Sequence, residues 1–298
     1  MTSPVTVAES IPLKIAVTGA TGFIGRHVLA ELETRSVEHI ALVRSSKAKA
    51  NGYFKCSVVQ FDLHNPPPNA FELMGRPDVL IHLAWSGLPN YKSLHHFEQE
   101  LPAQYRFLKN LIESGLQTLV VTGTCFEYGM QSGWLSEDDE TRPENPYGFA
   151  KDTLRRQLEY FKQLHPFNLT WARLFYLYGD GQAPNSLWSQ LKNAIEQHDA
   201  VLNMSGGEQL RDYLPVNKVA RQLVGLALKQ QDIGIINVCS GRPQSVRGLV
   251  EGWIHENHWK IDLNLGFYPY PNHEPMAFWG NASKLNSIHR TTNYKEKL

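Results

Sequence analysis

Cysteine is scarce in this chain. Its three copies, Cys56, Cys125 and Cys239, are far apart and odd in number. They form neither a disulfide framework nor a metal-type C-x-x-C pair. An excess of one charge is also missing: Lys+Arg and Asp+Glu each number 29, for a formal net charge of zero. That balance gives no sign of a basic nucleic-acid footprint or a polybasic membrane patch. No run of about 20 apolar residues exists to span a bilayer. Met1 to Ser10 lack the basic start and apolar stretch of a signal peptide. These absences lead us to expect a protein of the reducing cytoplasm. There is no internal repeat, and no biased segment beyond Pro66-Pro67-Pro68. Histidines number 12, and His255 and His258 share an i,i+3 spacing, but no carboxylate completes a ligand set, so no metal is expected.

What is present is apolar material, 42% of 298 residues, enough for a sizeable core. Runs at Leu13–Thr18, Ile40–Arg44, Ser57–Phe61, Val79–Leu83, Thr118–Thr122 and Leu169–Leu174 predict strands. Most are continuously aliphatic, as in parallel strands covered on both faces. Amphipathic stretches at Arg26–Arg35, Phe97–Ser114 and Tyr147–Leu164 lie between them. The order predicts right-handed βαβ crossovers and an α/β fold with a Rossmann-type doubly wound parallel sheet. Residues 1–178 are expected to form the dinucleotide-binding domain. Residues 179–298 are expected to form a smaller, interleaved C-terminal substrate lobe, with a segment near 234–239 returning to the sheet and a polar tail beyond Thr291. The aromatic stretch Phe267-Tyr268-Pro269-Tyr270 is expected to pack that lobe.

The first strand runs into Gly19-Ala20-Thr21-Gly22-Phe23-Ile24-Gly25, which opens a helix. Glycines permit a tight turn and close approach of backbone to a pyrophosphate, and the helix N-terminus offers free N–H groups. The spacing is G-x-x-G-x-x-G, not the ordinary G-x-G-x-x-G. At the end of the second strand, where a binder of NAD usually carries an acid for the ribose 2′-hydroxyl, stands Arg44, followed by Ser45 and Ser46. Arg44 reads either as a solvated surface residue or as a fork for a 2′-phosphate. We prefer the second, and with it NADP over NAD. Asp62-Leu63 follows the third strand, where the acid is placed either to accept from an adenine amino group or to cap the loop before Asn65-Pro66. Leu83-Ala84 follows the fourth, where small residues let a cofactor pass.

Tyr147-Gly148-Phe149-Ala150-Lys151 forms Y-x-x-x-K just after Pro146, so that Tyr147 and Lys151 share one helix face. A free phenol has a pKa near 10. A neighbouring ammonium favours its ionised form, which makes Tyr147 a candidate general acid–base and Lys151 its partner and a holder of the nicotinamide ribose. Thr124, at the end of the fifth strand, is placed to donate to the same substrate oxygen.

Together these segments resemble the extended short-chain dehydrogenase/reductase family of nucleotide-sugar epimerases, dehydratases and 4-ketoreductases. The likeness runs through Gly19–Gly25, Asp62-Leu63, His82–Ala84, Thr122–Gly129, Tyr147–Lys151, Arg173–Gly179 and Gly207–Val216. It implies a nucleotide-sugar substrate, a homodimer through the helices around Phe97–Ser114 and Tyr147–Leu164, and further site residues. Tyr176 would lie at the nicotinamide amide, Asn185 at the nucleotide, and Arg211 at the substrate diphosphate, against the alternative that Arg211 is a structural ion pair with Asp212 or another acid. Trp85 would line the sugar pocket or simply pack the core.

The family's 4,6-dehydratases carry an acid pair directly after the catalytic Thr. Here Cys125-Phe126 follow, with Glu127 one place too late, so dehydration is not expected. Cys125 is also out of register for the catalytic Cys of GDP-fucose synthase-like enzymes, and reads as a packing residue. The expectation is therefore NADPH-dependent reduction of a nucleotide-linked 4-keto-6-deoxyhexose, with Tyr147 as general acid. The alternatives are a nucleotide-sugar 4-epimerase with bound NAD and a non-catalytic NADP-sensing protein.

Overall fold

The computed structural model describes residues 12–45, 55–270 and 274–288. Ser46, the segment from Met1 to Ser10 and the residues beyond Thr291 lie outside them. The aliphatic runs form strands β1 (Lys14–Thr18), β2 (Glu38–Val43), β3 (Ser57–Gln60), β4 (Val79–His82), β5 (Thr118–Thr124), β7 (Asn168–Leu174) and β12 (Gly234–Val238). They build one seven-stranded sheet in the order β3-β2-β1-β4-β5-β7-β12, with every pairing parallel. The Rossmann-type α/β class expected from the sequence is therefore present.

Both sheet faces are covered, which is why the strands are aliphatic throughout instead of alternating with polar residues. Ile15, Val17, Ile81 and Val120 face one side, against α1 (Phe23–Leu32) and α6 (Val216–Lys229). Ala16, Leu80, Leu119 and Val121 face the other, with Phe107 of α3 (Leu101–Glu113) and Leu154 and Leu158 of α4 (Pro146–Leu164). Each such buried Val, Leu or Ile side chain contributes about 1.5–3 kcal/mol over its exposed state. Ile236 of β12 is fully buried in the first of these layers.

Several boundaries depart from the sequence reading: α1 runs Phe23–Leu32 instead of Arg26–Arg35, β2 runs Glu38–Val43 instead of Ile40–Arg44, and two further departures have a local reason. β5 continues two residues past Thr122, because Gly123 and Thr124 pair with Arg173 and Leu174. The helix expected from Phe97 begins as a π-helical turn, His96–Glu100, before α3. Pro102 lies at the start of α3 and has no N–H to donate back to residue 98, so the ordinary ladder is interrupted there.

The remaining elements are short: α2 (Ala70–Leu73), β6 (Gly133–Leu135), β8 (Tyr176–Tyr178), α5 (Leu187–Glu196), β9 (Val201–Asn203), β10 (Leu210–Arg211), β11 (Tyr213–Pro215), β13 (Gln244–Ser245), α7 (Val246–Glu256), β14 (Asp262–Asn264) and β15 (Phe278–Gly280). They pair as β8 with β11, β10 with β13, β9 with β14 and β6 with β15. A separate apolar cluster, with Leu191, Leu202, Leu249 and Trp253, packs α5 and α7 together. Phe267, Tyr268 and Tyr270 do not join it. They are 56%, 50% and 36% exposed, which corrects the packing role expected of them. The amides of Phe267 and Tyr268 are tied to the Met204 carbonyl after the turn at Gly266, and this leaves the rings outside. Among the described residues no helix is long and apolar enough to cross a membrane.

If β12 completes the sheet as a core strand, Ile236→Ala should cost about 2–5 kcal/mol. Equilibrium urea unfolding should show a lowered midpoint with an unchanged slope. A loss below half a kcal/mol would place this strand outside the cooperative core.

Candidate active site

The chain reverses direction across the sheet between β1 and β4, and such a switch point opens a crevice at the strand C-termini. Both strands are tied there. Thr18 Oγ1 accepts from the Leu83 and Ala84 amides at 3.1 and 3.2 Å, and its own proton goes to His82 Nδ1 at 3.0 Å. His82 is fully buried, which pushes its pKa down to about 3, with Lys151 adding to the fall, so it is neutral. The glycines fit their assigned role. Gly19 has φ +66°, and a Cβ there would stand 2.9 Å from the Ala84 nitrogen; on Gly25 it would stand 2.1 Å from the Gly19 carbonyl oxygen. The first turn of α1 starts at Gly22 with no side-chain cap, so its N–H groups are open to an anion.

A cavity of about 340 Å³ extends from this turn, and its walls include Gly19, Thr21, Gly22, Arg44, Asp62, Leu63, Leu83 and Ala84. Arg44 is exposed at its rim. Asp62 lines the cavity and also caps its turn, accepting from the His64 amide at 3.1 Å. Among the wall residues not anticipated are Glu100, at the end of the π-helical turn, and Gln104, one turn on in α3, on the face otherwise given to Leu101, Phe107, Leu108 and Leu111. Glu100 has no solvent exposure. It accepts from Ser86 Oγ at 2.5 Å, Gln104 Nε2 at 2.8 Å and His64 Nε2 at 2.6 Å. Burial alone would raise its pKa, but those hydrogen bonds and His64 outweigh it and bring the carboxyl down to about 2. A polar i,i+4 pair on an apolar helix face was the available signal in the sequence.

The second cavity, about 580 Å³, shares Leu83 and Trp85 with the first. It brings together Phe23, Ile24, Trp85, Thr124, Tyr147, Lys151, Tyr176 and Asn185, residues from six separate stretches of sequence. Asn145 caps α4 by accepting from the Gly148 amide at 2.8 Å, and Pro146 occupies the first turn; this turns Tyr147 and Lys151 inward. Lys151 Nζ donates to the Thr122 carbonyl at 2.8 Å and stands 4.1 Å from the Trp85 ring centroid. Burial pushes its pKa down to about 7, opposed by the charges of Glu127 and Glu100. The Tyr147 ring has His96, Tyr91, Trp85 and Phe126 around it, at centroid distances of 5.3, 5.5, 6.0 and 6.5 Å. Burial, then Tyr91, Glu127 and Cys125, push the phenol well above its ordinary range, while a hydrogen bond with Thr124 works the other way. The phenol is thus a proton donor at neutral pH.

Glu127, dismissed as a proton carrier, sits beneath this cavity. It is fully buried and accepts from the Thr124 amide at 2.9 Å, Trp171 Nε1 at 3.0 Å and Arg173 Nε at 2.7 Å. Cys125 is buried as a packing residue would be, and burial raises its thiol well above the usual range.

Arg211 departs from its expected place. It is 2% exposed and lies behind the cavity wall, not on it. Its Nη1 donates to the Leu210 carbonyl and its Nη2 to Glu274 Oε2, both at 3.0 Å. The guanidinium packs over Phe278 and Tyr176, at 5.0 and 5.6 Å from the ring centroids. Of the two readings, the structure has the ion pair, and the acid is Glu274. Asp212 instead accepts from the Ser240 and Gly241 amides, both at 2.8 Å. Nothing in the motif around Arg211 pointed to a partner 63 residues away. Among the described residues no group of three His, Cys, Asp or Glu could hold a metal ion, and His255 and His258 are exposed.

Comparison with known proteins agrees with this geometry. The chain is similar to a dTDP-6-deoxy-L-talose 4-dehydrogenase (NAD(+)) of Aggregatibacter actinomycetemcomitans, at 29% identity over 90% of this chain and 99% of the relative. It is similar to a dTDP-4-dehydro-6-deoxyglucose reductase of Escherichia coli, at 24% identity over 80% of this chain and 79% of the relative. Among solved structures, MoeE5 in complex with UDP-glucuronic acid and NAD superposes with a TM-score of 0.77 at 26% identity, covering 92% of each chain. The family described as NAD dependent epimerase/dehydratase matches residues 15–239. With its parallel sheet, glycine turn and Tyr147–Lys151 pair inside that match, the chain belongs to the NAD dependent epimerase/dehydratase family and is an oxidoreductase of the extended short-chain dehydrogenase/reductase kind.

Proposed function

We propose that the protein reduces the 4-keto group of a nucleotide-linked 4-keto-6-deoxyhexose, with NADPH as reductant. The observation that carries this is one cavity in which a buried, protonated Tyr147 phenol stands beside the Thr124 hydroxyl and the Lys151 ammonium. The names of two relatives, both acting at position 4 of a dTDP-linked deoxysugar, support the substrate class and make dTDP the first nucleotide to test.

The Gly19–Gly25 turn and the open α1 terminus would hold the pyrophosphate, Arg44 the 2′-phosphate, and Lys151 the nicotinamide ribose. Bound there, the dinucleotide supplies the hydride. Tyr147 gives its proton to the oxygen that becomes the alcohol, and Thr124 donates a second hydrogen bond to that oxygen. The ammonium of Lys151 favours the phenolate left behind. The aromatic rings of Trp85, Tyr91, Phe126 and His96 keep water from Tyr147 during the transfer.

Tyr147→Phe should lower kcat by roughly 10²–10⁴. Its affinity for NADPH, followed by nicotinamide fluorescence, should stay within about threefold of wild type. A Phe variant that keeps more than a tenth of kcat removes Tyr147 from the reaction. Wild-type enzyme that binds NADPH but interconverts plain UDP-hexoses without net oxidation would replace the reductase with an epimerase, and binding with no turnover of either kind leaves a sensor.

Charge-assisted hydrogen bonds are worth about 1.5–3 kcal/mol. Arg44→Ala should therefore raise KM for NADPH roughly 10- to 100-fold and leave KM for NADH unchanged. Equal effects on both cofactors would return Arg44 to the solvated surface.

Because Lys151 loses its proton near pH 7, kcat/KM for NADPH, which reports the free enzyme, should fall as pH rises through about 7. Glu127 supports the ammonium, so Glu127→Gln should move that limb to lower pH. A limb that stays in place or moves up contradicts the assignment.

A further inference from the structure

The cavity that holds Tyr147 carries a carboxylate that the reaction outlined above does not use. Glu274 lies on its wall, with Tyr91, Cys125 and Tyr213, whereas its partner Arg211 stands behind the wall. Its side chain is only 17% exposed. Its charge makes the protons of Tyr91, Cys125, Tyr176 and Tyr213 harder to remove, which places it against the same wall as the reacting phenol, since the Tyr91 ring is 5.5 Å from that of Tyr147. One oxygen, Oε2, is held by Arg211; among the described residues no donor reaches Oε1.

We propose that Glu274 is a substrate-specificity residue: its carboxylate, fixed by Arg211, accepts hydrogen bonds from hydroxyl groups of the sugar ring and selects sugars that carry them near the reacting carbon. The inference rests on the nucleotide-sugar reading. Its chemistry is that of an acceptor-only group. An ionised carboxylate offers about four lone-pair sites and no proton, so it suits hydroxyl donors and disfavours phosphate oxygens. Hydrogen bonds to a charged acceptor are roughly twice as strong as neutral ones. A site that presents a buried acceptor rejects analogues lacking the matching donor, because the acceptor is then left unpaired.

Arg211 is built to orient this carboxylate and not to move. The Leu210 carbonyl holds its Nη1, and the rings of Phe278 and Tyr176 flank the guanidinium. An anion seeking Arg211 would have to displace Glu274 first. A placeholder for the substrate diphosphate and a reader of sugar hydroxyls therefore make opposite predictions when the carboxylate is removed.

The experiment is calorimetric binding of dTDP and of dTDP-glucose to wild type, Glu274→Ala and Glu274→Gln, alongside steady-state reduction of dTDP-4-keto-6-deoxyglucose. Glu274→Ala should weaken dTDP-glucose at least tenfold and raise KM for the keto sugar similarly, with dTDP affinity unchanged within about twofold. Glu274→Gln keeps an acceptor for Arg211 and guards against a folding defect; it should lose about three- to tenfold in the same two quantities. Tighter binding of dTDP and dTDP-glucose by the variants would overturn the proposal in favour of a displaced placeholder. Unchanged affinity for both ligands would also overturn it. If wild type reduces no keto sugar yet binds dTDP-glucose, the reductase reading fails while the affinity ratio still decides the role of Glu274. A wild type that binds no nucleotide sugar ends both.

Discussion

The buried pair of Glu127 and Arg173 holds the floor of the reaction cavity together. From the short turn Cys125–Tyr128 after β5, Glu127 reaches three partners on two adjacent strands: the Thr124 amide at the end of β5, and Trp171 and Arg173 on β7. Removing two charges from water costs several kcal/mol each, and their attraction offsets that only when the remaining hydrogen-bonding sites are filled. Here they are filled on the carboxylate side, by an amide, an indole and a guanidinium. The Arg173 guanidinium is also stacked 4.6 Å from the Tyr128 ring centroid. Deleting either charge leaves the other buried and alone, at a cost of about 3–5 kcal/mol. What this arrangement confers is therefore position more than stability: Thr124 and the short 3₁₀ turn after it are fixed relative to the sheet.

That fixed floor matters because the groups above it have opposite needs. Burial keeps the Tyr147 phenol protonated and strips the Lys151 ammonium of hydration, lowering one group's tendency to ionise and the other's tendency to stay charged. A dry pocket that served the acid alone would silence the base beside it. The negative charges of Glu127 and Glu100 correct this for Lys151 without reaching the cavity as proton carriers. Glu100 is itself held ionised by Ser86, Gln104 and His64, so the correction depends on a second buried network. The two carboxylates act on Lys151 at a distance, through field, and neither lines the cavity that holds Tyr147.

Legibility in the sequence followed the range of the interactions involved. The sheet was readable because continuous aliphatic runs are a local consequence of burial on both faces, and the α1 turn was readable because the glycine spacing itself is local, with Gly25 answering the Gly19 carbonyl, although Gly19 also answers Ala84 after β4. Tyr147 and Lys151 were readable because i,i+4 spacing on a capped helix is also local. Glu100, Glu127, Tyr91 and Glu274 were not. Glu127 acts through strand β7, Glu100 through His64 and Ser86, and Glu274 through Arg211, all across the fold. Sequence shows that such an acid exists but not which cation it meets. Arg211 shows the cost of that gap: a motif supplied its identity, whereas its pairing and its burial were fixed by a segment it does not contact locally.

The same reasoning separates what the two cavities ask of the chain. The first joins the glycine turn and the rim Arg44, suited to the phosphates of a dinucleotide, to a wall that also carries apolar residues and the acids Asp62 and Glu100. The second is walled by side chains from strand ends, the 85–91 loop, α4 and the segment at Glu274. Only the Thr124–Tyr147–Lys151 corner of it is dictated by proton chemistry. The remaining wall, with Tyr91, Phe126, Tyr213 and Glu274, takes no part in that proton transfer, and it is there that the proposed discrimination between sugars is assigned. An apolar ring at Phe126, where an acid would be needed for elimination, and a single fixed acceptor at Glu274 give that wall a definite character.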